Sequence, residues 1–247
     1  MEASKETLWQ GKKKAITFSF DDGVTQDIRL IEIFNRYGLK GTFNLNSELL
    51  GKEGELDRNG RIVRHDKVQP ADVRRIYEGH EVAGHTLTHP GLIHKDDAEV
   101  IRQVEEDRKN LSALCGYEVV GMAYPGGGRN ADERVATLIE KHTGIKYART
   151  TASGIANARI PEEGRFAPKK DMFLFMPSTY YIDEEFEAVV DEFLALETEE
   201  PQLLYIWGHA YEMDAEYITW EKFEAMCAKL ANRSEIYYGT NRDVFGC

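Results

Sequence analysis

Short runs of apolar, β-branched and aromatic residues alternate with longer segments of helical periodicity along almost the whole chain. The first run, residues 15–20, is followed by apolar residues at helical spacing up to Gly38, and a second run covers 41–46. Such repeated strand–helix units build parallel sheets covered by helices. We therefore expect a single domain, 1–247, with an α/β fold: a distorted (β/α) barrel of about seven to eight strands, similar to a TIM barrel.

The same periodicity places the remaining elements. Further strands are predicted at 81–84, 119–123, 147–150, 173–176, 203–207 and 235–238, and further helices at 70–79, 96–114, 132–141, 184–196 and 219–230. The polar stretch 51–69 contains Asn59-Gly60, a signal for a type I′ hairpin turn, and is predicted to lie on the barrel rim. Residues 152–170 are predicted to be loop. An open doubly wound sheet is the alternative, but no phosphate-binding glycine pattern follows the first strand.

Composition bears on partners and location. Acidic residues outnumber basic ones by 43 to 31, a net charge of -12. This charge repels phosphate backbones and anionic lipids, so we expect no nucleic-acid or membrane partner and a neutral or cationic substrate. The three cysteines (Cys115, Cys227 and Cys247) have no metal-ligand or redox spacing. The charged N-terminus has no apolar signal segment, which predicts a cytoplasmic location. The sequence predicts no particular oligomeric state.

Two adjacent carboxylates, Asp21 and Asp22, follow the first predicted strand and precede Gly23, which permits a sharp turn. Because successive strand residues point to opposite faces, we expect one carboxylate to bind a metal and the other to accept a proton. A solvated turn is the alternative interpretation of these residues taken alone.

Two histidines, His85 and His89, follow another predicted strand. Their spacing of four residues would direct both imidazoles the same way if the loop made one helical turn. Together with Asp22 they offer two nitrogens and one oxygen, a set that leaves a coordination position open for water.

Two further clusters also follow predicted strands. One is the glycine-rich turn after Tyr124, whose backbone N–H groups can face a developing oxyanion, and the other contains His209, which can protonate a leaving amine. All four clusters therefore fall at the carboxyl ends of strands, where barrel enzymes carry their chemistry. The other histidines are interpreted as surface residues: His65, His80, His94 and His142.

These clusters resemble the motifs of one family, the polysaccharide deacetylases of the NodB-homology type, which are carbohydrate esterases. Phe20-Asp21-Asp22-Gly23 is similar to the first motif and His85-Thr-Leu-Thr-His89 to the second. Tyr124-Pro125-Gly126-Gly127 is similar to part of the third, and His209 to the histidine of the last.

The resemblance implies a carbohydrate deacetylase acting on an N-acetylated saccharide. It implies one divalent metal held by Asp22, His85 and His89, with zinc expected and cobalt or nickel as alternatives. It further implies Asp21 as general base and His209 as general acid. The metal and the backbone N–H of Tyr124 would stabilise the oxyanion.

The chain departs from the family pattern in two places. The third motif usually has an arginine, which orients the base aspartate, three residues before the aromatic residue, where this chain has Gly121. Arg149, at the end of another predicted strand, is our candidate to supply that charge. The family's acidic fourth motif is not evident, which leaves the partner of His209 undefined.

Two other functions are compatible with these residues. The same centre in a differently shaped pocket would give a metal-dependent hydrolase of a non-sugar amide or cyclic imide. Alternatively, the chain is a carbohydrate-binding barrel that has lost catalysis, an interpretation motivated by the missing arginine. The presence of all five metal-ligand, base and acid positions favours the enzyme.

Overall fold

A computed structural model describes residues 5–151, 164–168 and 171–247. Its strands are β1 (Lys14–Asp21), β2 (Gly41–Leu45), β3 (Glu55–Arg58), β4 (Arg61–Arg64), β5 (Glu81–Gly84), β6 (Gly121–Ala123), β7 (Tyr147–Arg149), β8 (Thr179–Tyr180), β9 (Gln202–Gly208) and β10 (Ile236–Tyr238). Its helices are α1 (Asp27–Tyr37), α2 (Val73–Ile76), α3 (Asp97–Cys115), α4 (Glu133–His142), α5 (Phe186–Ala195), α6 (Tyr211–Asp214), α7 (Trp220–Leu230) and α8 (Asn241–Phe245). Among them, none has the length and apolar composition of a membrane-spanning segment.

Eight of the described strands form one curled sheet, in the order β7-β6-β5-β2-β1-β9-β8, with β10 paired to the first half of β1. Every pairing in this sheet is parallel. Near its two edges, Phe175 forms a parallel bridge with Arg149 of β7, and the strand that follows, β8, pairs with β9. The segment from 175 to 180 thus links the two edges. The predicted α/β distorted barrel is confirmed.

The central strand β1 is buried along its whole length. On one face, Phe18 and Phe20 pack against Phe34 of α1, with ring centroids 4.7 and 6.0 Å apart. Replacing a phenylalanine buried in this way by alanine costs about 3–5 kcal/mol. Because side chains alternate along a strand, Ser19 and Asp21 point to the other face, inside the barrel. This packing determines where the chain after Asp21 emerges.

The predicted hairpin is confirmed. Asn59 and Gly60 both have positive φ (56° and 73°), as a type I′ turn requires, and they connect the antiparallel strands β3 and β4. After β4 the chain returns to the barrel, where Lys67 forms an antiparallel bridge with Val24. The polar excursion is therefore attached at its base to the loop that follows β1.

Most predicted elements are present with ends shifted by a few residues, but several predictions are wrong. The strand expected at 173–176 is only the bridge at Phe175, and the strand of this region is β8. The helix expected at 70–79 is a 3-10 turn followed by the single turn α2. His80, expected at the surface, is buried, and its two ring nitrogens are bonded to the backbone N–H of Gly41 and the side chain of Asn35. Of the predicted loop 152–170, residues 152–163, 169 and 170 lie outside the described part.

Candidate metal centre and active site

The carboxyl ends of β1, β5 and β9 surround one cavity of about 690 Å³. Six of the residues singled out in the sequence line it: Asp21, Asp22, His85, His89, Tyr124 and His209. The seventh, Arg149, is fully buried beside Asp21. The parallel sheet is what brings these positions together, since it directs the carboxyl ends of neighbouring strands to the same edge.

The two adjacent aspartates face the same cavity, which corrects the expectation that they point to opposite faces. Asp21 ends β1, and Asp22 adopts a left-handed backbone with φ 84°, followed by Gly23 at φ 62°. This turn redirects the Asp22 side chain toward the cavity that Asp21 lines. Gly23 is required here, because a Cβ at this position would lie 2.8 Å from Cγ of Leu45.

Two hydrogen-bond donors hold one carboxylate oxygen of Asp21. Its Oδ1 accepts hydrogen bonds from Nη2 of Arg149 and from Nδ2 of Asn44, the latter at 2.8 Å. Its Oδ2 lies 4.0 Å from Nε2 of His209. Burial alone would raise the pKa of Asp21, but the charges of Arg149 and His209 outweigh burial and lower this pKa. Asp21 is thus an ionised carboxylate with one oxygen directed toward His209.

Asp22, His85 and His89 offer three ligand atoms within 4.8 Å of one another. The Nδ1–H of His85 donates to the carbonyl oxygen of Ala123 at 2.8 Å, which leaves Nε2 with a free lone pair. Burial lowers the pKa of His85 to about 4 and also lowers the pKa of His89. Both imidazoles are therefore neutral at pH 7. Neutral imidazoles and a carboxylate at this spacing suit a divalent cation.

The two histidines do not converge through a helical turn, as the sequence suggested. The loop between them has left-handed residues at Thr86 (φ 68°) and His89 (φ 62°), and the two imidazole centroids are 4.8 Å apart. Helix α3 holds this loop. Its Asp107 accepts the backbone N–H of His85 at 3.0 Å, and its Gln103 carbonyl accepts the N–H of Leu87 at 3.0 Å.

His209 forms a dyad with Glu212, a residue that the sequence reasoning missed. Nδ1 of His209 lies 3.1 Å from Oε1 of Glu212, and Oε2 of Glu212 accepts the backbone N–H of His209 at 3.1 Å. Burial alone would lower the pKa of His209, but Glu212, Asp22 and Asp21 outweigh it and raise this pKa to about 9. His209 is therefore protonated at neutral pH. A carboxylate three residues after a strand-end histidine was the available signal.

An aromatic sandwich connects the base side of the site with the acid side. The Trp207 ring lies between the guanidinium of Arg149, 4.9 Å from its centroid, and the stacked ring of Tyr180, 4.1 Å away. The Tyr180 hydroxyl donates to Glu212, and Arg149 donates to Asp21. Trp207 thus packs between the two residues that contact the candidate base and the partner of the candidate acid.

The expectation that the backbone N–H of Tyr124 faces an oxyanion is wrong. This N–H donates to the carbonyl oxygen of Arg149 at 2.9 Å, which continues the β6–β7 pairing, and the Tyr124 hydroxyl donates to the Phe173 carbonyl at 2.8 Å. Gly126 and Gly127 also line the cavity. Within the described ranges, the backbone N–H groups of both glycines have no acceptor, so both are free donors in the cavity lining.

The hairpin excursion adds two residues to the site: His65, expected at the surface, and Lys67, which the sequence does not single out. His65 lies in the cavity wall with Nε2 3.1 Å from Oδ2 of Asp22. Lys67 is buried, and its Nζ donates to the backbone carbonyl of Asp22 at 2.8 Å and lies 3.6 Å from Oδ1. Burial alone would raise the pKa of Asp22, but the His65 hydrogen bond and the Lys67 charge hold it well below its ordinary value.

Comparison with proteins of known sequence adds two relatives. The peptidoglycan-N-acetylglucosamine deacetylase of Listeria monocytogenes is 28% identical over 120 residues, covering 47% of this chain and 22% of that protein. A chitooligosaccharide deacetylase of Rhizobium leguminosarum bv. trifolii is 38% identical over 69 residues, covering 28% of this chain and 32% of that protein. The matched region therefore spans a third or less of each relative.

Two solved structures share the fold. A mutant of the peptidoglycan deacetylase PdaC of Bacillus subtilis has a TM-score of 0.56 at 15% identity and covers 95% of this chain and 91% of that one. A family 4 carbohydrate esterase pseudoenzyme of Bacillus anthracis has a TM-score of 0.54 at 16% identity and covers 88% of this chain and 60% of that one. At such identities the likeness bears on the fold alone.

The sequence model of the polysaccharide deacetylase family matches residues 10–148, more than half of the chain. This region contains both aspartates, the two candidate ligand histidines His85 and His89, and the glycine-rich turn, so the match covers the metal group described above. The chain belongs to the polysaccharide deacetylase family.

Proposed function

We propose that this chain is a metal-dependent hydrolase that removes the acetyl group from an N-acetylated saccharide. The observation that carries the proposal is the meeting of a three-atom ligand group, an ionised Asp21 and a protonated His209 around one cavity. The relatives named for deacetylation of peptidoglycan and chitooligosaccharides support an acetamide on a sugar as the substrate.

The ligand group fits a divalent cation. Asp22, His85 and His89 would hold it. At pH 7 the aspartate is ionised and the imidazoles are neutral, which are the protonation states that bind a metal. When bound, such an ion supplies Lewis acidity for the amide carbonyl and makes water a stronger nucleophile. Zinc is our proposed ion, with cobalt and nickel as alternatives, because an oxygen and two imidazoles suit all three.

The protein's own residues account for the proton transfers. Asp21 takes a proton from the water that attacks the acetamide carbonyl carbon, while Arg149 and Asn44 keep its carboxylate in place. The N–H groups of Gly126 and Gly127 are proposed to donate to the developing oxyanion. His209 then protonates the amide nitrogen as the C–N bond breaks, which releases acetate and the sugar amine.

The first test measures bound metal. Chelator-stripped protein is reloaded with zinc, and the metal content per chain is compared between wild type, His85→Ala and His142→Ala, a change of an exposed histidine at the end of α4. We expect one ion per chain in wild type and His142→Ala and none in His85→Ala. Absence of metal in the wild type would contradict the hydrolytic proposal and favour a binding-only barrel.

The second test measures acetate release from N-acetylglucosamine oligomers, with Asp21→Asn as the inactive control. Release that disappears in Asp21→Asn supports the proposed reaction. A metal-loaded wild type that releases no acetate from these sugars but hydrolyses simple amides or cyclic imides would instead support the non-sugar alternative.

A further inference from the structure

The β3–β4 hairpin forms one wall of the active-site cavity. Leu56 and Arg58 line the cavity, and alternation along β3 turns the intervening Asp57 away from it. The guanidinium carbon of Arg58 lies 5.8 Å from the ring centroid of Tyr211, and this ring lies 5.1 Å from the His209 ring. The Tyr211 ring therefore lies next to both Arg58 and the candidate acid.

The hairpin is held in this place by polar contacts. Arg61 pairs with Glu216 at 2.6 Å, just beyond α6. Nε2 of Gln26 donates to the carbonyl oxygen of Arg64 at 2.8 Å and to Asp214 at 2.9 Å. These contacts hold β4 against α6 and the residues just after it, the segment that follows His209 in the chain. Arg58 is thus presented to the cavity by a fixed element rather than by a free loop.

The charge balance of the cavity leaves Arg58 without an ion-pair partner, and its side-chain hydrogen bond is to Tyr211. The three carboxylates that line the cavity already have cations: Asp21 has Arg149, Asp22 has Lys67 and Glu212 has His209. Among the described residues, Arg58 forms no ion pair. In a chain with net charge -12, an unmatched arginine facing the active site is a site for an anionic group, and its planar fork matches a carboxylate.

We propose that Arg58 is a specificity-determining residue that binds a carboxylate on the substrate, so that the preferred substrate is an acidic N-acetylated saccharide rather than a neutral one. The inference rests on the proposed deacetylation and reverses the expectation, drawn from net charge alone, of a neutral or cationic substrate. The carboxylate lies on the sugar that carries the acetamide or on its neighbour, since Arg58 and His209 both lie next to the Tyr211 ring.

The experiment uses two matched substrates: tri-N-acetylchitotriose and the same trisaccharide with its primary alcohols oxidised to carboxylates. Acetate release by metal-loaded wild type, Arg58→Gln and Lys52→Gln is measured on both. Lys52→Gln removes the same charge from an exposed position of the same excursion, outside the cavity.

The wild type should show a higher kcat/KM on the oxidised trisaccharide. Arg58→Gln should lose about tenfold to a hundredfold of this value, mostly through KM, because one charge-assisted contact to the substrate is lost. The ratio of its kcat/KM values on the oxidised and neutral trisaccharides should therefore fall, whereas Lys52→Gln should keep the wild-type ratio.

A wild type that prefers the neutral trisaccharide, or an Arg58→Gln variant that behaves like wild type on both substrates, overturns the inference while the proposed function stands. A metal-loaded wild type that releases acetate from neither substrate contradicts the proposed function itself, and the inference falls with it.

Discussion

The side chain of Tyr147 fills the space that any side chain at position 121 would need. A Cβ on Gly121 would overlap the phenol ring, and the Tyr147 hydroxyl is fixed by a 2.9 Å hydrogen bond to the buried Glu81. The same β6–β7 register that pairs Gly121 with Tyr147 pairs Ala123 with Arg149. This explains why the family's third-motif arginine is missing: its position is closed, and a guanidinium reaches Asp21 from the neighbouring strand.

Gly121→Ala should therefore destabilise the protein. The added methyl group meets a ring that is held by both packing and a hydrogen bond, so we expect a loss of about 1–3 kcal/mol in the free energy of unfolding. The measurement is the midpoint of urea unfolding of the metal-free protein. Gly127→Ala is the matched control, because a Cβ there has no neighbour within 4 Å. Equal midpoints for the two variants would contradict the steric explanation.

The pair of Arg149 and Asp21 should be strongly coupled. Both side chains are buried, and removing one partner of such a pair costs about 3–5 kcal/mol because the other charge is left unpaired. Arg149→Gln should thus be much less stable than Arg134→Gln, which changes a surface arginine paired with Asp97. In an Asp21→Asn background the cost of Arg149→Gln should shrink. Identical costs in both backgrounds would show that Arg149 does not act through Asp21.

The contact between Arg149 and Asp21 could be predicted from the sequence. The position of Arg149 at the end of a predicted strand was enough to propose that it meets Asp21, because parallel strands deliver their carboxyl ends to one edge. The backbone N–H of Tyr124 was assigned wrongly for a related reason. Whether that N–H is free depends on the register of two strands, and the identity of the residues in one strand does not determine this register.

Local sequence patterns do not predict the contacts that the hairpin residues make with Asp22. Asn59-Gly60 identified the turn, but His65 and Lys67 reach Asp22 only because residues 66–68 bond the backbone of residues 23–25. That pairing joins segments about forty residues apart, and nothing in the polar composition of 51–69 indicates it. Glu212 belongs to none of the motifs identified in the sequence, and its pairing with His209 depends on the turn that the chain makes after β9.

The pH profile of the proposed deacetylation should depend on Glu212. The acid must be protonated to act, and the pKa of His209, raised to about 9, keeps it so through neutral pH. Glu212→Gln removes a charge that opposes the effect of burial, so the pKa should fall toward and below its ordinary value of 6.5. The basic limb of kcat/KM should then move to lower pH, whereas Glu221→Gln, an exposed change, should leave it in place. An unchanged basic limb in Glu212→Gln would remove Glu212 from the mechanism.

The raised pKa of His209 should also affect the stability of the metal-free protein. A histidine with a raised folded pKa stabilises the fold below its unfolded pKa, and this contribution is lost as pH rises through the folded value. The free energy of unfolding of wild type should therefore decrease between about pH 6.5 and 9 relative to that of Glu212→Gln. Parallel pH curves for the two proteins would contradict the raised pKa.

Asp107 should control metal affinity although it is not in the ligand group. Its carboxylate accepts the backbone N–H of His85 at 3.0 Å and of Ser47 at 2.7 Å, and thus ties the ends of β5 and β2 to α3. Without these bonds the loop after His85 loses an anchor of its left-handed conformation. Changes to residues that orient ligands typically weaken metal binding about ten- to a hundredfold.

Asp107→Ala should therefore raise the zinc Kd in a chelator competition by about that factor, while Glu106→Ala, at the exposed neighbouring position, should leave it unchanged. A lower free energy of unfolding would not by itself show that Asp107 positions the metal ligands. Asp107 is buried, and any substitution there destabilises the protein. The decisive comparison is Asp107→Asn, which keeps one acceptor oxygen and the shape of the side chain. If Asp107→Asn retains tighter zinc binding than Asp107→Ala, the carboxylate acts by holding the ligand loop. If both variants bind zinc like wild type at temperatures where they are folded, Asp107 is not needed to position the loop. Gln103 and Asn46, whose Nδ2 donates to the carbonyl oxygens of His85 and Thr86, then hold it.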